Sequence, residues 1–366
     1  MVKMTSSEQP VKELEEKHVE LLGKLVSDIR NGKLQDALKI ALTTISILEQ
    51  IISESQNATA YELCSTLHVV GNHISQMLPD DFVAVNIVRR VLRAVRDESR
   101  AQANQSAEVV GESLQRLVLG APSRRATLGP AEQDLREPIR DQIAELRAEL
   151  ESTETSISGQ ARSHIDTDEV VLLCGGCALA EAFLRAAARA TRIRLIVTEG
   201  HARRESHALA ARLSAAGANV TVISNVAIFA VMPRVNKVVI SVRAAIGGGA
   251  VLAAPGSLML TSAAKMYNVP VLALTPLYKL VPLHAADPQY TALADPLLTH
   301  TYEHGDTQQS HVFAPLHDFI TPDHITLFIT NLGGSSPSYI YRLLSELYDP
   351  RDNNLASFSK TFSATL

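Results

Sequence analysis

The chain has 366 residues, 46% of them hydrophobic and 20% charged, which is enough apolar sequence for a large core and enough length for two domains or one domain with an extension. Its formal charge of −5 gives no global attraction for nucleic acid or an anionic membrane, and no apolar run approaches the roughly 20 residues that a membrane span needs. Three cysteines, Cys64, Cys174 and Cys177, make no disulfide framework, and the opening MVKMTSSEQP lacks the apolar stretch of a secretory signal, so a reducing, cytoplasmic setting is expected.

In chain order, the first predicted element runs from Val11, with apolar residues at Leu14, Val19, Leu22, Leu25, Val26 and Ile29 and a closing Asn31-Gly32 pair. A second helix is read from Leu34, Leu38, Ala41, Ile45, Leu48 and Ile52, and a third from VAVNIVRRVLRAVRDESR (83–100). Each amphipathic stripe needs the others for burial, so a helical bundle is expected over residues 1–165. Residues 101–136 carry scattered Gly, Pro, Ser and Gln and no aromatic residue, the composition of a mobile insertion. Helical pattern returns at Ile139, Ile143, Leu146 and Leu150 and leads into the second domain.

From Glu169 the rhythm changes. VVLLC, RLIVTE, NVTVIS, KVVISV and VPVLALTP are short apolar runs, separated by ALAEAFLRAAARA, ESHALAARLSAAG, NVAIFAVM and SLMLTSAAKMY. Such runs between helices predict a parallel sheet covered on both faces. The fold class is therefore α/β, an N-terminal helical bundle plus a C-terminal Rossmann-like doubly wound parallel sheet over 166–366, with a second insertion at about 281–310. Such sheets bind ligands at the carboxyl ends of their strands.

Several features fall in that zone. Gly247-Gly248-Gly249 follows a strand, but neither the dinucleotide pattern G-x-G-x-x-G nor a P-loop lysine accompanies it, so a structural turn competes with a phosphate cradle. Cys174-Gly175-Gly176-Cys177 has redox-motif spacing at a strand-to-helix junction, without a second cysteine pair for zinc. His201 and His207 follow the strand ending at Glu199 with no nucleophile to pair with, which favours an interface or surface role. Arg89, Arg90, Arg93 and Arg96 put a basic strip on the third helix, either a solvated face or a seat for an acidic protein surface.

The stretches NIVRRVLRAVRDE (86–98), NVAIFAVMPRVNKVVI (225–240), LTSAAKMYNVPVLALTPLYKL (260–280) and ITLFITNLGGSSPSYIYRLLSELYDP (325–350) resemble the beta-type members of the alpha/beta/delta family of regulatory subunits of eukaryotic translation initiation factor 2B. The likeness covers nearly all of the chain outside the two polar insertions. That family shares its fold with sugar-phosphate isomerases, whose motifs carry a catalytic cysteine, a catalytic aspartate and an Asn-Lys loop. The resemblance puts Gly175 at the cysteine position, Arg243 in Ser241-Val242-Arg243 at the aspartate position, and Ala253-Ala254 where the Asn-Lys pair would stand. Glu199-Gly200-His201-Ala202 likewise lacks the arginine of the isomerases' Glu-Thr-Arg-Pro. An arginine cannot replace a carboxylate in moving protons between sugar carbons, so a degenerate ancestral site without catalytic residues, cofactor or metal is expected.

The resemblance implies a noncatalytic subunit of the guanine-nucleotide exchange factor for initiation factor 2. Its partners would be the delta subunit, in a direct heterodimer, the alpha, gamma and epsilon subunits, and initiation factor 2, chiefly through the alpha subunit whose phosphorylation the core senses. No direct nucleic acid and no membrane partner is implied. His207, Thr326, Asn331, Tyr339, Tyr341 and Leu344 are the expected subunit-interface residues, with Thr321-Pro322 read as a helix start that places Thr326 and Asn331 along or just after a helix. Asn86, Arg89 and Arg93, at helical spacing, are the candidates for the incoming partner, unless these arginines only cap a neighbouring helix. A divergent sugar-phosphate isomerase or metabolite-binding protein of the same fold is the alternative, with Cys174 or Cys177 as acid and a carboxylate such as Glu199 as base.

Overall fold

The computed structural model describes residues 16–55, 60–118, 136–199, 203–283, 315–353 and 355. It divides into two compact units, Met1–Arg147 with Asp349–Leu366, and Ala148–Tyr348. The sequence had suggested one boundary near residue 165; the contacts instead divide the long fifth helix and return the last residues to the helical unit.

The helical unit holds α1 (Glu16–Arg30), α2 (Ala37–Glu54), α3 (Ala60–Met77), α4 (Phe82–Val118) and the first half of α5 (Arg136–Gly159). Asp36 starts α2 by accepting the Leu38 N–H at 3.4 Å, satisfying one orphan donor of the first turn. The stripe of α2, Ile40, Ala41, Ile45, Leu48, Ile51 and Ile52, is buried, as are Leu63, Leu67, Val70 and Ile74 of α3 and Val88, Val91, Leu92 and Val95 of α4. Helix α3 had no counterpart in the sequence reading. Helix α4 also continues through Val118, into the segment expected to be an insertion; 119–135 lie outside the described residues.

The second unit carries α6 (Ala161–His164), β1 (Val170–Cys174), α7 (Ala178–Ala190), β2 (Arg194–Glu199), α8 (Arg203–Ala215), β3 (Asn219–Ser224), α9 (Ile228–Val231), β4 (Lys237–Ile246), β5 (Val251–Ala253), α10 (Ser257–Met266), β6 (Val271–Leu274), β7 (Leu280–Val281), β8 (Asp318–Ile320), β9 (Leu327–Thr330), β10 (Gly333–Ser335) and α11 (Ile340–Leu347). The main sheet has the order β10-β9-β6-β4-β1-β2-β3. Its pairs are parallel except for β10 against β9. Alternate residues of β1 face opposite cores: Val170, Leu172 and Cys174 pack with Ile240 and Phe328, whereas Val171 and Leu173 pack with Phe183, Val239 and Ile329. Both faces are thus covered, which explains the continuous apolar runs in the sequence.

Two stretches differ from their expected form. NVAIFAVM is a 3₁₀ turn followed by the single α-turn of α9. Thr321-Pro322 opens only the 3₁₀ turn Pro322–His324, so Thr326 precedes strand β9 and Asn331 follows it, with no helix between them.

Candidate functional site

The chain winds outward through β1, β2 and β3, then crosses to β4, β6 and β9 on the other side of β1, so the sheet reverses direction of growth between β1 and β4. The adjoining strand ends, where Cys174 pairs with Ile240, form the crevice at which such folds place a ligand.

Four residues nominated from the sequence fall around this crevice. Gly175 turns the chain after β1 with φ of 71°, and a Cβ there would lie 3.1 Å from the Cβ of Ala254, so these two positions come together. Ala253 is fully buried in β5, paired with Val242 on one side and Asp318 on the other. Arg243 is exposed and occupies the irregularity where the β4–β5 register slips between Val242 and Ala244. The buried Lys279 holds that irregularity by donating to the Val242 carbonyl at 2.8 Å. No carboxylate stands at any of the four positions.

The cysteines are committed to local structure. Cys174 is 1% exposed; burial raises its thiol pKa, against hydrogen bonds with Thr198 and Ser257 that lower it. The Cys177 sulfur caps α7, accepting the Ala180 N–H at 3.4 Å and the Ser241 hydroxyl at 2.9 Å. Among the described residues, no group of three or more His, Cys, Asp or Glu side chains is arranged to hold a metal ion.

The glycine run is a hairpin turn between β4 and β5. Ile246 and Ala250 close it with a 2.8 Å backbone bond, and Gly249 adopts φ of 79° with its Cα against Pro337. A Cβ at Gly249 would meet the Pro337 carbonyl oxygen at 2.7 Å. The turn reading of Gly247-Gly248-Gly249 is therefore the right one, because this loop leads into a strand and offers no helix N-terminus to a phosphate.

Two helix N-termini lie at these strand ends, that of α7, capped by Cys177, and that of α10, whose Ser257 hydroxyl is 3.7 Å from the Cys174 sulfur; the α10 end carries an acidic partner. Its free N–H groups and positive dipole end suit an anion, and here Asp318 supplies one. Its Oδ2 accepts from Gly256 N at 2.8 Å and from Leu258 N at 2.9 Å. Beside it, burial and the Arg243 charge push the His317 pKa down to about 4, so the imidazole is neutral at pH 7. Sequence reading missed Asp318, whose partners lie some 60 residues away in the chain and follow no local motif.

The proposed base of the alternative reading, Glu199, lies 2.7 Å from His207 Nε2. His207 is exposed on α8 and Glu199 is partly buried at the end of β2. His201 and residues 284–314 lie outside the described residues.

The remaining surface candidates separate sharply. Tyr339 and Tyr341 are exposed, the latter 64%, with the Arg342 guanidinium stacked 5.4 Å from the Tyr339 ring. Leu344 is buried in the chain's own core, so it is not an interface residue; its face of α11 covers the sheet. Thr326 is exposed but its hydroxyl accepts the Val271 N–H at 3.0 Å, and Asn331 donates to Thr153 Oγ1 at 2.9 Å, both serving the fold. Of the partner candidates, Asn86 is 0% exposed and Arg89 is 5% exposed, which removes both from the surface. Arg89 donates to Asn86 Oδ1 at 3.0 Å and to the carbonyls of Asp352 and Asn353. Arg93 reaches solvent and pairs with Asp97 at 3.2 Å.

Comparison with known proteins adds a family. The chain is 32% identical to translation initiation factor eIF2B subunit beta of Schizosaccharomyces pombe, over 90% of this chain and 96% of that one. Its fold is similar to the crystal structure of eIF2B beta from Chaetomium thermophilum, with a TM-score of 0.73, 23% identity and coverage of 92% and 94%. A tetrameric eIF2B-beta2-delta2 complex from C. thermophilum matches with a TM-score of 0.68 and 23% identity, covering 92% of this chain and 96% of that one. The model of the Initiation factor 2 subunit family matches residues 33–337, most of the length, and the chain belongs to that family.

Proposed function

We propose that this chain is the beta-type, noncatalytic subunit of the regulatory core of translation initiation factor 2B, the guanine-nucleotide exchange factor for initiation factor 2. The observation that carries the noncatalytic part is the self-occupied crevice. Asp318 fills the anion position at α10, Gly175 and Ala254 stand where a thiol and an amine would be needed, and Arg243 replaces the carboxylate. A sugar phosphate entering there would face a negative charge already fixed on two N–H donors of α10, and an arginine at the position where the isomerase motif has its carboxylate.

The relatives named above support the regulatory part, since the S. pombe protein is a beta subunit and the C. thermophilum complex joins beta to delta. The chain's direct partner is then a delta subunit, with alpha, gamma and epsilon subunits completing a cytoplasmic assembly. The core receives the alpha subunit of initiation factor 2 and responds to its phosphorylation. No helix among the described residues is long and apolar enough to cross a membrane.

The reading is tested by reconstituting the factor with the double variant Cys174→Ser, Cys177→Ser and measuring nucleotide exchange, beside a sugar-phosphate isomerase assay on the isolated chain. Unchanged exchange and no isomerase turnover are expected. Turnover by the unmodified chain that the variant lacks would overturn the noncatalytic assignment.

A further inference from the structure

The chain returns to the helical unit at Asp349, after the sheet is complete. The returning segment has little regular structure of its own: a 3₁₀ turn, Pro350–Asp352, which Asp349 caps by accepting the Arg351 N–H at 3.0 Å. It is nevertheless deeply seated. Asp352 is 0% exposed and Leu355 is 4% exposed.

What holds it is a set of side chains on α3 and α4. The Asp352 carboxylate pairs with Arg96 and lies 3.0 Å from His68 Nε2. Arg89 donates Nε to the Asp352 carbonyl at 3.1 Å and Nη2 to the Asn353 carbonyl at 3.3 Å. Asp349 is 3.4 Å from Arg100 and 3.8 Å from Arg96. Leu355 then enters a notch that exists because residue 71 of α3 is glycine: a Cβ there would stand 2.8 Å from Leu355 Cδ1 and 3.1 Å from Val88 Cγ1. An acidic turn is thus met by a basic groove and finished by an apolar anchor. These are the elements by which a folded domain recognises a short acidic peptide, here supplied in cis.

Side chains, rather than a backbone ladder, make the attachment. Its one fully buried charge is the Asp352 carboxylate, and a buried charge is tolerable only while its partners stay in place. We infer that residues 349–353 together with Leu355 form a charge-steered clasp, which seats between α3 and α4 and opens as a local unit independent of the sheet. Opening uncovers the α3–α4 groove and releases Arg89 and Arg96 from the segment that now occupies them. The inference does not depend on the factor 2B reading.

The test is hydrogen exchange with limited proteolysis on the full-length chain, comparing the unmodified protein with Asp352→Asn, Leu355→Ala and the exposed control Arg351→Ala. Proteolysis of a segment that opens rapidly tracks the population of its open form. Cleavage within 349–355 should rise at least about tenfold in Asp352→Asn and in Leu355→Ala, since each removes an element of the seat. Amides of α3 and α4 should lose protection while those of β1 and β4 keep theirs, and Arg351→Ala should behave as the unmodified chain. Should Asp352→Asn fail to fold, Leu355→Ala leaves the charges intact and gives the same readout. A segment that stays protected in the folded variants, or a sheet that loses protection in step with it, overturns the clasp.

Discussion

His317 immediately precedes β8 and Asp318 is its first residue, yet the two act in different ways. Asp318 satisfies two orphan N–H groups of α10, so Asp318→Ala should cost about 1 kcal/mol, the usual value of a lost N-terminal cap, measured by chemical denaturation. His317 is held neutral, its pKa moved from 6.5 to about 4 by burial and by Arg243. Because the unfolded chain takes up that proton first, stability contributed by this group is intact above about pH 6.5 and is lost as pH falls towards 4. His317→Gln should flatten that limb of the stability profile; an unchanged limb would assign it to other groups. Neither residue announced itself in the sequence. Gly175 and Arg243 were nominated only through the resemblance to the isomerase motifs, whereas a cap formed across the chain leaves no spacing to read.

The elements show the same division between local and distant causes. The runs that became β1, β4 and β6 were legible because burial on both faces makes them almost continuously apolar, whereas β2 and the exposed edge strand β3 were legible from short β-branched runs alternating with helices. Helix α3 was not, although Leu63, Leu67, Val70 and Ile74 have helical spacing, since His68, Gly71 and Asn72 dilute the stripe. The reason for Gly71 lies in Leu355, far along the chain. Gly71→Ala should therefore destabilise by about 1 to 3 kcal/mol as an overpacking change, despite the better helix propensity of alanine. Strand β9 was misread for a different reason: Thr321-Pro322 is a genuine start signal, but only for a three-residue turn. On α4, Arg96→Met would leave the Asp352 carboxylate buried with its main partner gone. A loss of about 3 to 5 kcal/mol is expected from the thermal or denaturant midpoint, against almost none for Arg140→Met on α5, which pairs with the solvent-exposed Glu137.

At the scale of the whole molecule, the exposed aromatic pair on the last helix and turn contrasts with a crevice that has turned inward. Tyr341→Ala should change the stability of the isolated chain by no more than about 0.5 kcal/mol, as exposed substitutions do, yet reduce recovery of partner subunits. The central claim is that this chain works as part of a hetero-oligomeric exchange factor and not as a self-sufficient enzyme. Native mass spectrometry of the tagged chain, purified from its own cells, tests that claim most directly. The account predicts one assembly containing delta, alpha, gamma and epsilon subunits with this chain present in two copies, as in the beta2-delta2 complex it resembles. Recovery solely as a homodimer would contradict it.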